Sequence, residues 1–380
     1  MTLSDVEVHF ENRRSALDFF GEAETVRAVD GVSLSIPEND VVAVIGESGC
    51  GKTTLGKTAI GLERPTEGTV VYRGQDVWAA RDGRGDVAIP HGEIRRSLQL
   101  IHQDPGSSLN PNQTVLASLL QPLKRWHPDL SRQNKEARVF SLLETVGMTP
   151  ATDYAYRYPH QLSGGEQQRI ALVRALLMEP DLVLADEAVS ALDVSLRVEM
   201  MDLMLELQDQ FDTSFLFISH NLSNARYFAG KADGRIAIMY LGEIVEVGPY
   251  DEVLEDPRHP YTRILKWATP DMTVRHGEIE EPPVRDIDIP DPVNPPSGCR
   301  FHTRCPYARE ACVESTPEST DTGEGHRAAC FRTDPDHEYW ESDPLPGTEG
   351  AEIPDGSGAA GGESAGSDTG RGATDGGSDR

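Results

Sequence analysis

Nine residues, Gly46–Thr54 (GESGCGKTT), restrict this chain more than any other stretch. They follow the apolar run Val41-Val42-Ala43-Val44-Ile45, so the reading is a short buried strand, a glycine-rich turn and a helix over Lys52–Leu62. The pattern G-x4-G-K-S/T is filled by Gly46, Gly51, Lys52 and Thr53, the signature of a phosphate-binding loop. Glycine lets backbone N–H groups crowd around an anion, and the following helix turns its positive end to the same spot. The candidate triphosphate contacts are Gly46, Ser48, Gly49, Cys50, Gly51, Lys52, Thr53 and Thr54. Lys52 would bring a charge to the β- and γ-phosphates and Thr53 a hydroxyl ligand for Mg²⁺. A plain glycine turn is the bland alternative; the flanking strand and helix argue against it.

A second stretch completes the chemistry. Asp181–Glu187 reads DLVLADE, an apolar strand that delivers two carboxylates to the carboxyl end of a sheet. Asp186 is the candidate to hold Mg²⁺ through water, and Glu187 the candidate to polarise an attacking water.

The rest of the chain alternates strand and helix around a helix-only block. Strands are expected at Asp5–Phe10, Ala28–Ile36, Gly68–Tyr72, Ser97–Gln103, Ser214–Ile218, Arg235–Tyr240 and Glu243–Val247, with a polar loop over Arg73–Pro90. From about 104 to 180 the periodicity is helical, at Thr114–Leu120, Asn134–Val146 and Ser163–Met178. Helices Leu192–Gln210 and Leu222–Phe228 follow. The fold class is α/β: a nucleotide-binding domain over residues 1–250 with an inserted helical lobe.

Composition narrows the partners. The 380 residues carry a net charge of −28, and lysine accounts for only six of the 35 basic residues. Such a surface argues against nucleic acid, which needs a positive footprint, and fits a protein kept soluble in high salt, so a salt-loving source is expected. Met1–Phe10 has acids and no basic segment, so no signal peptide is expected there, and no run approaches the ~20 apolar residues that span a bilayer.

Leu162–Arg169 reads LSGGEQQR. Ser163-x-x-Glu166 is a capping box, which alone would explain those two residues, but Gly164 and Gly165 also open backbone N–H groups at a helix start. With the phosphate loop and LVLADE, this octapeptide resembles the nucleotide-binding subunit of an ABC transporter. That resemblance implies ATP and Mg²⁺ as ligands, with Gln103 contacting Mg²⁺ and the membrane partner. It implies His220 at the γ-phosphate, Glu187, His220 and Gln103 as the catalytic set, and Ser190–Asp193 (SALD) reaching toward a second cassette. Phe10 is similar to the aromatic that stacks on adenine, with Phe19 and Phe20 competing for that place. The family closes its open ATP site with Ser163, Gly164, Gly165 and Glu166 of a second subunit. Departures are small: Ala188 follows Glu187 where proline is usual, and Asn221 follows His220 where aspartate is common.

Beyond Gly248 the character changes. Tyr250–Glu255 and an amphipathic stretch opened by His259-Pro260-Tyr261-Thr262-Arg263 read as helices, and Asp271–Pro296 as a proline- and acid-rich connection. Cys299, Cys305, Cys312 and Cys330 then follow the spacing C-x5-C-x6-C-x17-C. Structural zinc favours tighter pairs, so four thiolates at irregular spacing suit an iron–sulfur cluster better. Zinc with His302 or His326, and four free thiols, are the alternatives. HPYTR and PPSGCRFHTRCPYA resemble the C-terminal extension of oligopeptide and dipeptide importer ATPases, some of which carry a 4Fe–4S cluster there. GESGCGKTTLGK and HQDPGSSLNP are most similar to the second of the two paired ATPases. The resemblance implies import of peptides, or of nickel or oligosaccharides within the same family; a soluble ABC-type ATPase and an iron–sulfur redox regulator are the rival classes. The implied partners are a second ATPase, two permeases and an extracytoplasmic solute-binding protein, with this chain peripheral at the cytoplasmic face of the membrane. The expected layout is thus 1–250, a cysteine-rich extension over 251–333, and an acidic tail over 334–380 too poor in apolar residues to order itself.

Overall fold

The computed structural model describes residues 1–12, 24–104, 106, 109–269 and 284–348. Phe19 and Phe20, part of the DPGSSLNP turn and the segment 270–283 lie outside them, as does 349–380. The larger sheet is built on the phosphate-loop strand. β3 (Val41–Ile45) lies parallel between β8 (Ser214–Ser219) and β9 (Arg235–Tyr240), and β7 (Leu182–Asp186) and β6 (Leu98–Ile101) continue beyond β8. All five residues of β3 are buried, because both faces of the sheet are covered. Val41, Ala43 and Ile45 face one core and Val42 and Val44 the other, as the period of two requires. A smaller antiparallel sheet, in the order β2 (Glu24–Ser35), β1 (Thr2–Asn12), β4 (Glu67–Tyr72) and β5 (Gln75–Asp76), covers the second face.

Helix α1 (Lys52–Ala59) follows the loop and lies flat on the sheet. A Cβ on its Gly56 would meet Leu184 and Ile218 methyls at 2.7 Å, so a larger residue would push those side chains aside. Between β6 and β7 runs a helical lobe of α4 (Val115–Trp126), α5 (Arg132–Thr145), α6 (Ala151–Ala155) and α7 (Gly164–Leu176). Thr114 and Ser131 cap the first two of these through their hydroxyls. Leu119, Leu123, Val139 and Leu143 are fully buried between them. After β7 come α8 (Val194–Phe211) and α9 (Leu222–Lys231).

One expectation fails in the core domain. Arg73–Pro90 is no simple loop: it holds β5 and α2 (Val77–Asp82), and α3 (His91–Ser97) begins directly after it. The Asp76 carboxylate caps α2 at Ala79 N, and Trp78 is buried beneath the guanidinium groups of Arg64 and Arg81. One aromatic anchor and one cap hold a helix too short and too charged to show periodicity.

The C-terminal extension is not a separate body. After β10 (Glu243–Pro249), α10 (Tyr250–Glu255) and α11 (Pro260–Trp267), the chain passes through the cysteines and the short helix α12 (Ala311–Glu314). It then returns as the hairpin β11 (Thr320–Gly323) and β12 (His326–Ala328). β12 pairs with β10, Glu246 against Ala328 and Val247 against Arg327, so the hairpin extends the large sheet to eight strands. Glu246 is 1% exposed, and its carboxylate accepts from the amides of Arg258 and His259 and from the Thr262 hydroxyl, with His326 Nε2 at 2.7 Å. The unordered tail also needs correcting over 334–348. Tyr339 is buried and donates to Tyr307 O, Arg309 donates to Trp340 O and Ser342 O, and Leu345 N donates to Ala308 O. Two aromatics and an arginine give this stretch the contacts that composition alone did not promise.

Candidate functional site

The phosphate loop, residues 46–51, turns sharply between β3 and α1. Gly51 sits at φ +108°, and a Cβ there would meet Ala28 O at 1.9 Å, so both its conformation and its surroundings demand glycine. Lys52 is buried, and its Nζ donates to Gly46 O and Glu47 O, each at 2.8 Å. This ammonium lies curled into the loop it must serve, where a phosphate could replace carbonyl partners. Cys50 packs into the core; burial pushes its thiol up, so it offers its amide, not a thiolate.

The carboxyl ends of β6, β7 and β8 bring the other candidates beside the loop. Thr53 Oγ1 donates to Asp186 Oδ1 at 3.0 Å, placing the two candidate Mg²⁺ residues together. Burial raises the Asp186 carboxyl against the hydrogen bond from Thr53 and the charge of Lys57. Glu187 stands at φ +50°, a left-handed conformation that a glutamate rarely holds, with its amide donating to Ile218 O. Its Oε1 lies 3.0 Å from His220 Nδ1, and Gln103 Nε2 reaches its Oε2 at 3.4 Å. Glu187, His220 and Gln103, which follow three different strands, therefore meet on one carboxylate. That group can orient a water and take its proton, next to a site for triphosphate and divalent cation.

Other candidates stand apart. Ser163 and Glu166 form the reciprocal capping box, Ser163 N to Glu166 Oε2 at 2.7 Å and Glu166 N to Ser163 Oγ at 3.3 Å. Ser163 and Gly164 are exposed at the start of α7, with the Gly165 backbone beside them. Asp193 caps α8, accepting from Leu196 N and Ser195 Oγ at 3.0 Å each. Phe10 is 41% exposed on β1, open to a planar ligand.

The four extension cysteines line one small cavity, together with His259, Phe301 and Tyr339. Burial pushes all four thiols up, and neighbouring cysteines add to this at Cys299, Cys305 and Cys330. Backbone amides donate to every sulfur: Phe301 to Cys299, Tyr307 to Cys305, Arg309 to Cys312 and Arg332 to Cys330. Such donors stabilise thiolates, and a cationic group would have to supply the remaining charge. Zinc in a tetrahedron of four sulfurs, with Zn–S of about 2.3 Å, would need them about 3.8 Å apart. Among the described residues, the only three metal-ligating groups mutually within 4.8 Å are Glu7, His9 and Asp30, so the cysteine sulfurs are spread more widely. His326 is turned to Glu246, and His302 Nδ1 lies 2.9 Å from Cys299 O. As for Glu7, His9 and Asp30, the guanidinium groups of Arg27 and Arg300 on the same aspartate oppose a cation there.

Sequence reasoning missed Glu47, Tyr261, Arg300 and Arg304. Glu47 donates its amide to Tyr261 OH at 3.0 Å and pairs its carboxylate with Arg304 at 3.0 Å. Arg300 binds Asp30, Glu243 and Leu241 O. The signal was present: Tyr261 lies in HPYTR, and Arg300 and Arg304 each adjoin a cysteine.

A parallel sheet core, a phosphate loop at the carboxyl end of its inner strand β3 and paired carboxylates beside that loop define an ATP-binding cassette. Residues 29–190 match the ABC transporter family, and 245–312 match the oligopeptide/dipeptide transporter C-terminal region. The chain is 38% identical to the oligopeptide transport ATP-binding protein OppF of Salmonella typhimurium, over 88% of this chain and 96% of that protein. It is 40% identical to AppF of Bacillus subtilis, over 87% and 96%, and 41% identical to the di/tripeptide transport ATP-binding protein DppF of Pseudomonas aeruginosa, over 84% and 93%. Among solved structures, the ATP-binding cassette MJ0796, a dimer bound to ADP and Pi in a post-hydrolysis state, superposes with a TM-score of 0.54 at 26% identity. The match covers 66% of this chain and 98% of that one. The chain belongs to the family of oligopeptide and dipeptide transport ATP-binding proteins, ABC-type ATPases.

Proposed function

We propose that this chain hydrolyses ATP to energise import of di- or oligopeptides through separate membrane permease subunits. The observation that carries the ATPase chemistry is the convergence of Gln103 and His220 on Glu187, beside the Thr53–Asp186 pair. The peptide cargo is supported by the match of residues 245–312 and by the names of the relatives.

In this reading Lys52 leaves the carbonyls of Gly46 and Glu47 for the β- and γ-phosphates. Thr53 and Gln103 would hold Mg²⁺, with Asp186 reaching it through water; Glu187 takes the proton of the attacking water, and His220 steadies the γ-phosphate. The exposed start of α7, Ser163 to Glu166, caps the ATP of a second homologous ATPase subunit, and Asp193 approaches across the same junction. ATP then favours the closed pair, and its hydrolysis releases it. Two permeases and an extracytoplasmic binding protein complete the assembly, with this chain peripheral on the cytoplasmic side. Among the described residues no helix is long and apolar enough to cross a membrane. ATPase activity of the reconstituted assembly stimulated by peptide-loaded binding protein tests this; stimulation by nickel or an oligosaccharide alone would reassign the cargo.

Cys299, Cys305, Cys312 and Cys330 would hold a 4Fe–4S cluster, a reading supported by their wide spacing and by the amide donors to each sulfur. When bound, it would supply the cationic charge that four buried thiolates need. Purified protein should be brown and lose visible absorbance in Cys305→Ser; a colourless protein with one zinc would sink it. The acid excess is read as adaptation to concentrated salt.

A further inference from the structure

We infer that the C-terminal extension braces the phosphate loop through Arg304 and Tyr261, which act as positioning residues for ATP binding. Glu47 is the hub. Its amide is bonded to Tyr261 OH and its carboxylate to Arg304 Nη1, a residue 257 positions away. Its carbonyl accepts from Lys52 Nζ at 2.8 Å and from Cys50 N at 3.3 Å. The amide, carbonyl and carboxylate of Glu47 are thus all used, the carbonyl by the loop and the other two by the extension. The extension holds the residue on which the phosphate-binding lysine rests.

The brace is stiff by its packing. Arg304 is 5% exposed, its guanidinium lying over the rings of Tyr240 and Phe301. Tyr240, Tyr261 and Phe301 form one aromatic group, with centroids 4.6 to 5.4 Å apart. Tyr240 belongs to β9, next to the phosphate-loop strand, so the group joins sheet to extension. Removing the arginine would leave a half-buried carboxylate without its partner, which costs more than an exposed pair would. A loop that has lost its outer support samples more conformations, and ATP must select the competent one.

This rests on ATP binding at Gly46–Thr54, not on the identity of any group held by the cysteines. The test is equilibrium binding of Mg-ATP to the full chain for wild type, Arg304→Ala, Tyr261→Phe, Glu47→Gln and the double variant of Arg304 and Glu47. Thiol reactivity of the extension is followed in parallel. Loss of one charged hydrogen bond at the hub should raise Kd roughly tenfold in Arg304→Ala and in Glu47→Gln. The double variant should be no weaker than the worse single one, because both remove the same contact. Kd unchanged in Glu47→Gln, which leaves the extension's own sequence intact, overturns the brace even if Arg304→Ala misfolds. Strictly additive losses overturn it too, since they would place Arg304's effect elsewhere. Wild-type protein that binds no ATP would instead overturn the assignment of the loop itself.

Discussion

His220 Nδ1 lies 3.0 Å from Glu187 Oε1, and Glu187 holds a backbone conformation that favours glycine. A glutamate kept there despite its strain is best explained by where the strain aims the carboxylate. Glu187→Gln keeps the shape and loses the base, so hydrolysis should fall by about 10²- to 10⁴-fold while ATP binding stays near wild type. Steady-state turnover alongside nucleotide binding checks this; near-normal turnover would remove Glu187 from its role.

The 3.0 Å bond between Thr53 and Asp186 predicts a metal-specific defect. Thr53→Val should weaken binding of Mg-ATP while leaving metal-free ATP nearly unaffected, since the loop amides and Lys52 are unchanged. Titration with and without a chelator separates the two, and equal losses in both would place Thr53 in phosphate binding alone.

Residues 334–348 lie against the extension, and Tyr339 lines the cysteine cavity. Truncation after Thr333 should therefore speed alkylation of the cysteines by iodoacetamide in protein treated to remove any bound metal. Mass spectrometry reads the rate at each site. Identical rates with and without the segment would show that it does not cover the cavity.

With a net charge of −28, self-repulsion should weaken the fold when salt is removed. The thermal midpoint should rise steadily from dilute buffer to molar potassium chloride. A midpoint independent of salt would end the reading of the acid excess as salt adaptation.

Much of this was legible because the core motifs are local. Gly46–Thr54 carries its strand, turn and helix in one stretch, and the apolar run Leu182–Ala185 announces a buried strand. The contact of Gln103, Glu187 and His220 could be expected only through the family resemblance, since three strand ends meet there by topology. What stayed hidden depends on long-range pairing. Nothing local says that His326–Ala328 will pair with β10, or that Arg304 will cross to Glu47. The helix Val77–Asp82 was missed for another reason: one buried tryptophan and one aspartate cap leave no periodic trace.

The buried Glu246 carries a consequence for anyone shortening this protein. Its hydrogen-bonding groups come from Arg258, His259, Thr262 and His326, all downstream of the catalytic core. A chain stopped at Pro249 would keep all the ATP motifs yet leave β10 as a naked border, with its β12 partner gone and the Glu246 carboxylate stripped of every group that holds it. Such a fragment would offer an open strand edge to a second copy of itself, so the length of this cassette is set by its sheet and not by its motifs.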